Sequence, residues 1–315
     1  MLRSSTLALV AVLSIGSAAM AQQDEADFQP GPQNNPDSCS QLWQGIGLPE
    51  YGDTDRDATI VCHSRYVLSH SNEDKTPDWV IERLTRAQVS GKNRRPKVKF
   101  QSEELVRPAA RALDKDYAGS KFDRGHQAPS EDFNADADWM VESFILSNIV
   151  PQVGRGFNQG IWKDLEALVR KLAVDRGEIY VITGPIYRDA DGRALPISRD
   201  ANPCRKTIVF APPQKTAICD ANDKNVRAVC EAGVTVPVGL YKIIYDPRRV
   251  RANAYILPNL DHRLTQKKTD SLEYLERFRT SVHVVEDQTG LRFLLALDER
   301  TRRPQINQCV ATMLH

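Results

Sequence analysis

The strongest hydrophobic pattern in the chain spans residues 158–173, where apolar side chains recur at the spacing of an α-helix. The apolar stripe consists of Ile161, Leu165, Leu168, Val169 and Leu172. The residues Asn158, Trp162, Glu166 and Arg170 follow one another at intervals of four residues along the border of this stripe. We therefore predict a helix that packs its stripe on a sheet and turns its polar border toward a cleft.

Shorter runs rich in β-branched and aromatic residues predict the sheet. The predicted strands are residues 65–69, 79–84, 178–183, 238–245, 252–257 and 291–297. The first two flank a polar turn and form a hairpin, and Gly184-Pro185 is expected to stop the third. Further helices are predicted within residues 103–116, 136–146, 270–280 and 282–289. With no internal repeat and no interdomain linker, this order favours one α+β domain.

The amino-terminal segment predicts export. Arg3 precedes an apolar run at residues 7–15, and Ala19-Met20-Ala21 matches a signal-peptide cleavage site. A buried helix or an uncleaved anchor is the alternative, but the run is short for a membrane span. We therefore predict a periplasmic or secreted protein without stable membrane association. The predicted parts are a signal peptide at 1–21, a flexible leader at 22–38 and a single domain at 39–315.

Charge and cysteine content narrow the function classes. The chain carries 42 Lys and Arg against 41 Asp and Glu, and cleavage at the predicted site removes one Arg and no acid. The mature chain is therefore neutral overall, so binding to a polyanion has to come from a local basic patch or a metal. The cysteines are Cys39, Cys62, Cys204, Cys219, Cys230 and Cys309. An even number in an exported chain indicates disulfides, whose pairing stays open.

Polar residues that suit phosphodiester hydrolysis occur in order along the middle of the chain. They are Asp123-Arg124-Gly125-His126, then Asn148, Asn158, Glu166 and Arg170. A histidine accepts a proton from water near neutral pH, an Asn oxygen suits Mg²⁺, and arginines match phosphate oxygens. Each residue alone also has a structural explanation, such as a turn with a surface histidine or a Glu–Arg pair on a helix surface. Their combination favours a function.

These motifs resemble the DNA/RNA non-specific endonucleases, the Serratia-nuclease-like members of the ββα-metal group. The similar segments are Asp-Arg-Gly-His-Gln-Ala-Pro at 123–129, Ser-Asn-Ile-Val-Pro-Gln at 147–152, Phe-Asn-Gln-Gly-Ile-Trp at 157–162 with Leu-Glu at 165–166, and the basic Ser-Gly-Lys-Asn-Arg at 90–94. The resemblance spans about residues 65–297. It implies a central antiparallel β-sheet flanked by helices, with a ββα-metal catalytic motif.

The resemblance also implies a metal-dependent reaction. His126 is expected to be the general base that activates water. Asn158 is expected to be the one direct protein ligand of Mg²⁺, for which Mn²⁺ can substitute, and Glu166 to hold metal-bound waters. The implied reaction is hydrolysis of DNA and RNA with little sequence preference, which leaves 5′-phosphorylated products.

The resemblance assigns further residues to the phosphate. Arg94 is expected to stabilise the charge of the transition state. Arg124 and Arg170 are expected to position phosphate or the carboxylates, and Asn148 to line the cleft near the scissile group. Asp123 is expected to have a structural role.

Two other functions stay open. A phosphodiesterase of the same fold that acts on a small substrate is favoured if residues 188–234, which match no family motif, reshape the cleft rim. A catalytically inactive exported binding protein is disfavoured by the intact His126, Asn158 and Glu166. The oligomeric state and any inhibitor protein are open as well.

Overall fold

The computed structural model of the chain describes residues 28–52, 56–120, 122–187, 233–266 and 269–307. The strands are β1 (Glu50–Tyr51), β2 (Ala58–Cys62), β3 (Tyr66–Ser71), β4 (Thr76–Thr85), β5 (Phe122–His126), β6 (Ile149–Val153), β7 (Glu178–Ile186), β8 (Gly239–Asp246), β9 (Arg251–Pro258), β10 (Arg279–Thr280) and β11 (Leu291–Arg292). The helices are α1 (Arg86–Val89), α2 (Ala137–Glu142), α3 (Trp162–Arg176), α4 (Arg263–Gln266), α5 (Ser271–Leu275), α6 (Val282–Thr289) and α7 (Glu299–Asn307). Within these ranges, no helix has the length and apolar character needed to cross a membrane.

A seven-stranded antiparallel sheet forms the centre of the fold, in the order β10-β9-β8-β7-β4-β3-β2. Successive residues of β7 alternate between two cores, because neighbouring side chains of a strand point to opposite faces. Ile179 and Val181 pack in the core that contains the apolar stripe of α3, whereas Ile182 packs in the core with α6 and α7. The predicted α+β fold with a central antiparallel sheet is therefore confirmed.

A separate two-stranded ribbon, formed by β5 and β6, carries the Asp-Arg-Gly-His motif. His126 lies opposite Ile149, and Gly125 lies opposite Val150. A Cβ atom on Gly125 would come within 2.0 Å of the Gln152 side chain, so the ribbon needs a glycine here. Residues 154–161 connect β6 to α3, and the ribbon followed by this helix forms the predicted ββα unit.

Several boundaries differ from the prediction, and β7 shows why. Gly184 and Pro185 do not stop this strand, which continues to Ile186. The pairing of β7 with β4 ends at Thr183, whereas its pairing with β8 continues past Pro185. One side of the strand is therefore unpaired at the proline, where a missing N–H group is tolerated.

The other differences concern shorter elements. Residues 291–297 were predicted to return to the main sheet, but β11 pairs with β1 in a separate two-stranded sheet. The predicted helix within 103–116 is replaced by two 3-10 turns, Pro108–Ala110 and Asp114–Tyr117. The helix predicted from residue 158 begins as a regular α-helix only at Trp162, because Gly160 has non-helical backbone angles.

The part of the predicted leader that the structure describes is packed against β2. The Nδ2 atom of Asn34 donates hydrogen bonds to the backbone oxygens of Ile60 and Leu105, both at 2.9 Å. A disulfide joins Cys39 to Cys62 at the end of β2. For residues 28–38 these contacts differ from the flexibility expected of a leader at 22–38, because the side-chain amide of Asn34 and the disulfide hold this part against β2. The predicted signal peptide and the other four cysteines lie outside the described residues.

A buried histidine joins three chain segments behind the ribbon. His63 Nε2 lies 3.0 Å from Glu103 Oε2, and His63 Nδ1 lies 3.3 Å from Glu142 Oε1. Glu103 Oε2 also accepts a 2.7 Å hydrogen bond from the Ser147 hydroxyl, at the start of β6. Burial alone would lower the pKa of His63, but its bonds with the two carboxylates raise that pKa to about 9. The ring is therefore a cation at neutral pH.

We expect His63 to make stability depend on pH in the alkaline range. Its pKa rises on folding from 6.5 to about 9, so its contribution is complete below pH 6.5 and is lost as the pH rises through about 9. The contribution is on the order of 3 kcal/mol. The lowered pKa of Glu103 reflects the same pair and is not an additional contribution.

Urea unfolding of the wild type and of His63→Gln between pH 6 and 10 measures this contribution. The free energy of unfolding of the wild type should fall more steeply with pH than that of the variant. His283→Gln, which removes an exposed histidine, is the control and should behave as the wild type. Parallel pH profiles of the wild type and His63→Gln would contradict the assignment of a charged His63.

Candidate active site

A cavity of about 610 Å³ lies between the basic loop that follows α1, the β5–β6 ribbon and α3. Its walls are formed by Arg95, Phe100, Phe122, Asp123, Arg124, His126, Pro129, Glu131, Asn158, Gln159, Lys163, Glu166 and Arg170. Of the predicted site residues, the cavity brings together His126, Asn158, Glu166, Arg124 and Arg170. Arg94 and Asn148 are not part of its walls.

His126 lies at the end of β5 with its ring packed against two aromatic side chains. The ring centroids of Phe100 and Phe144 lie 5.6 Å and 4.9 Å from that of His126. Burial lowers the pKa of His126 to about 3, and the charge of Arg95 acts in the same direction. The ring is therefore neutral at physiological pH. Its buried Nε2 atom has no hydrogen-bond partner within the described chain, so in the tautomer that is protonated at Nδ1 this atom can accept a proton.

Asn148 lies behind the cavity wall, which corrects the expectation that it lines the cleft. Its side chain is fully buried. Its Oδ1 accepts from the Ala128 N–H at 2.9 Å, and its Nδ2 donates to the oxygens of Ala128 and Ser143 at 2.8 Å and 2.9 Å. Its backbone oxygen accepts from the Gln127 N–H at 2.9 Å. The polar atoms of the side-chain amide are therefore all bonded to the backbone of Ala128 and Ser143, and the Asn148 backbone holds Gln127.

Asp123 orients Asn158. The Asp123 Oδ2 atom accepts hydrogen bonds from Asn158 Nδ2 at 2.8 Å and from Gln159 Nε2 at 2.7 Å. An ionised carboxylate only accepts, so the NH₂ group of Asn158 has to face it. The Oδ1 atom of Asn158 makes no hydrogen bond in the part of the chain that the structure describes and remains available at the cavity.

Glu166 lies at the base of the cavity, one turn before Arg170 on α3. Its side chain is buried, and this burial raises its pKa to about 8. The nearby Lys242 lowers that pKa, whereas Asp132 raises it further. Arg170 Nη1 donates to Asp132 Oδ1 at 2.8 Å and forms a partly buried ion pair with it. The base of the cavity therefore combines carboxylates and cations that are buried or half-buried.

The arginines of the cavity differ in how they are held. Arg124 forms an ion pair with Asp114 at 2.6 Å and lies over the rings of Phe100 and Tyr117. Arg95 donates to the Ser130 hydroxyl at 3.1 Å. Arg94 is exposed on the loop outside the cavity, so the structure brings Arg95, rather than Arg94, next to His126. Arg94 and Arg95 are consecutive in an extended loop, and the sequence does not indicate which of the two side chains turns toward the cavity.

Lys163 and Phe100 are two of the wall residues to which the sequence assigned no role. Lys163 lies three residues before Glu166 and therefore on the same side of α3, a spacing that was visible in the sequence. Phe100 was not singled out, because an aromatic residue after a basic loop is no motif. Both residues border the space in which a substrate has to lie.

The donors of the cavity suit a hard cation that keeps most of its water. The described residues contain no group of three or more His, Cys, Asp or Glu side chains arranged to hold a metal. The one oriented donor is an amide oxygen, with a carboxylate nearby, and oxygen ligands with several waters are the preference of Mg²⁺. The same cavity also contains a neutral imidazole and several arginines. It can therefore bind a cation at the amide oxygen and an anion at the arginines, next to a ring that can activate water.

Comparisons with known proteins identify related nucleases. The chain is 30% identical to Nuclease C1 of Cunninghamella echinulata var. echinulata over 257 residues, which cover 80% of this chain and 89% of that protein. It is 29% identical to the mitochondrial Nuclease EXOG of Mus musculus over 242 residues, which cover 75% of this chain and 57% of that protein. Its fold is similar to that in a crystal structure of the EndoG/EndoGI complex, with a TM-score of 0.61 and 27% identity over 85% of this chain and 94% of the solved one.

The relatives correct the predicted location. Nuclease EXOG and Endonuclease G, both similar to this chain, are mitochondrial proteins, which contradicts the prediction of an exported, periplasmic or secreted protein. Residues 1–21 contain Arg3, several serines and no acid. Mitochondrial transit peptides are also basic, serine-rich and poor in acids, so these features do not separate the two kinds of leader.

The family assignment covers most of the chain. The model of the DNA/RNA non-specific endonucleases matches residues 48–300, which include the whole ββα unit and every wall of the cavity. This agrees with the relatives, all of which are nucleases, and with the shared fold. The chain therefore belongs to the DNA/RNA non-specific endonuclease family and is a hydrolase that acts on nucleic acids.

Proposed function

We propose that this chain is an endonuclease that hydrolyses both DNA and RNA with the help of Mg²⁺ and leaves 5′-phosphorylated ends. The observation that carries the proposal is the common cavity of His126 and Asn158, in which one offers a neutral ring nitrogen and the other an oriented amide oxygen. The remaining polar walls address phosphate and water rather than base edges, which accounts for a lack of sequence preference.

The proposed oxygen donors for the cation lie on α3 and on the turn before it. Asn158 Oδ1 is the proposed direct ligand, and Glu166 the proposed acceptor of hydrogen bonds from metal-bound water. A bound Mg²⁺ would supply positive charge that stabilises the phosphate and the leaving 3′ oxygen, and Mn²⁺ would serve the same purpose. A nearby divalent cation also favours the ionised form of Glu166, whose pKa is raised by burial in its absence.

His126 performs the proposed proton transfer. A water molecule that attacks phosphorus has to lose a proton, and Nε2 of the neutral ring accepts it. The low pKa of the ring ensures that it is unprotonated before the reaction, although it reduces its basicity. The negative charge of a bound phosphate offsets the effect of Arg95 and moves the pKa toward neutrality.

The cations around the cavity hold the phosphate. Arg95 lines the wall next to His126, and Arg94 is the proposed second contact from the exposed loop. Arg124 and Arg170 keep their carboxylate partners and present their remaining N–H groups to the cavity. Their charges stabilise the transition state more than the substrate, because negative charge increases on the phosphate oxygens during attack.

His126→Ala should abolish most of the cleavage of plasmid DNA and of RNA. Removal of a general base lowers kcat by about 10²–10⁴-fold. EDTA should stop the wild type, and Mg²⁺ should restore it. His283→Ala, which replaces an exposed histidine outside the cavity, is the control and should cleave like the wild type. Full activity of a folded His126→Ala protein would exclude this residue as the base, and activity in EDTA would exclude the metal.

Asp123→Ala should weaken the binding of the activating metal. Without Oδ2 of Asp123, the amide of Asn158 loses the hydrogen bond that turns its oxygen to the cavity. Loss of such an outer partner reduces metal affinity by about 10–100-fold. The Mg²⁺ concentration that gives half of the maximal rate should rise accordingly. Asp138→Ala, on the surface of α2, is the matched control. An unchanged Mg²⁺ requirement for Asp123→Ala would contradict the role of Asn158 as a ligand.

A further inference from the structure

We propose that Lys163 forms a second phosphate-binding position on the α3 side of the cavity, which holds a phosphate next to the one that is cleaved. The proposal rests on the proposed function, since it needs a nucleic acid strand in this cavity. The proposed position binds the nucleic acid strand at a phosphate other than the one that is cleaved, and the proposed function assigns no residue to that phosphate.

The position of Lys163 fits a neighbouring phosphate. Lys163 lies in the first turn of α3, with an exposed side chain that forms part of the cavity wall. It lies on the same side of the helix as Glu166, about 4.5 Å further toward the helix amino terminus. A strand that places one phosphate between His126 and Asn158 carries its next phosphate on the neighbouring nucleotide, which is displaced by about 3.4 Å along the axis of a duplex.

The ammonium group of Lys163 forms no ion pair with the residues that the structure describes. Arg124 pairs with Asp114, Arg170 pairs with Asp132, and Arg95 lies 3.4 Å from Glu131. Within the described ranges, Lys163 alone among the cations of the cavity wall has neither an ion pair nor a hydrogen bond.

The acid next to Lys163 is also engaged elsewhere. Asp164 accepts a 2.6 Å hydrogen bond from the Ser271 hydroxyl, so its carboxylate is turned toward α5. An ammonium group that is exposed at a polar cavity and forms no ion pair with the described acids attracts an anion. In a cavity that binds a polyanion, that anion is a backbone phosphate.

The flexible side chain of Lys163 limits the kind of contact that it can make with a nucleic acid. A lysine is a flexible point charge that does not read base edges as a bidentate group does, so it increases affinity for any sequence. A contact with a phosphate that is not cleaved changes the binding of the substrate rather than the chemical step. We therefore expect a change in KM with little change in kcat.

Lys163→Gln tests the proposal, with Lys171→Gln as the matched control. Lys171 is exposed on the same helix, pairs with Asp175 at 3.4 Å and does not belong to the cavity wall. The primary measurement is competition against a fluorescent oligonucleotide in EDTA, where no cleavage occurs. The competitors are a hexanucleotide and a dinucleotide that contains a single phosphodiester. Rates of hexanucleotide cleavage in Mg²⁺ form the second measurement.

The expected result is a loss that depends on substrate length. Lys163→Gln should raise the Kd and the KM of the hexanucleotide by about 5–10-fold, leave kcat within about twofold, and leave the Kd of the dinucleotide unchanged. The slope of log K against log salt for the hexanucleotide should decrease by about 0.7, as expected for one lost phosphate contact with a single strand. Lys163→Arg should restore affinity, and Lys171→Gln should match the wild type.

Two results would overturn the proposal. An equal loss for both competitors would place Lys163 at the cleaved phosphate, and an unchanged hexanucleotide Kd and salt slope would exclude a phosphate contact. Failure of the proposed function is distinguishable, because a wild type that binds but does not cleave in Mg²⁺ refutes the nuclease reaction while the EDTA competition still decides the role of Lys163.

Discussion

The carboxylate of Asp123 is the contact on which the geometry of the cavity depends. It belongs to the ribbon that carries His126, and it accepts from the side chains of Asn158 and Gln159, which precede α3. One acceptor therefore fixes the distance between the strand that holds the proposed base and the turn that holds the proposed metal ligand. The turn has irregular backbone angles at Gly156 and Gly160, so its shape is not set by helical hydrogen bonds. The side-chain bonds to Asp123 supply the missing constraint.

Below this contact the protein buries several charges in its central sheet. Glu82 of β4 is fully buried, and burial together with the nearby Asp132 raises its pKa well above the usual range. Lys242 of β8 donates to the Thr183 hydroxyl at 2.6 Å. Buried charges are unfavourable unless they are paired, and a fold that only needed stability would replace them with apolar side chains. Glu82 and Lys242 both interact electrostatically with Glu166. These buried residues of the sheet therefore influence the charge at the base of the cavity, at positions where apolar side chains would stabilise the fold more.

Local patterns in the sequence predicted the parts of the site that depend on local structure. The helical period placed Glu166 and Arg170 on one side of α3, and the short motif around His126 identified the ribbon. Asn148 was misplaced because its amide satisfies backbone groups that only the folded chain brings together. The prediction that Pro185 ends its strand was wrong, because a proline is tolerated within a strand where the pairing with a neighbouring strand has ended. Both depend on contacts between residues that are far apart in the sequence, so a short segment of the sequence cannot predict them.

The packed amino-terminal segment has a consequence for solution behaviour. Edge strands of a sheet present unpaired backbone groups that can recruit another chain. One edge of the main sheet, β10, is only two residues long, and at the other edge Asn34 occupies the Ile60 oxygen. The bond between Cys39 and Cys62 keeps this segment in place. The disulfide therefore helps to keep the β2 edge covered, and we expect its reduction to make the backbone groups of this edge more accessible to strand addition.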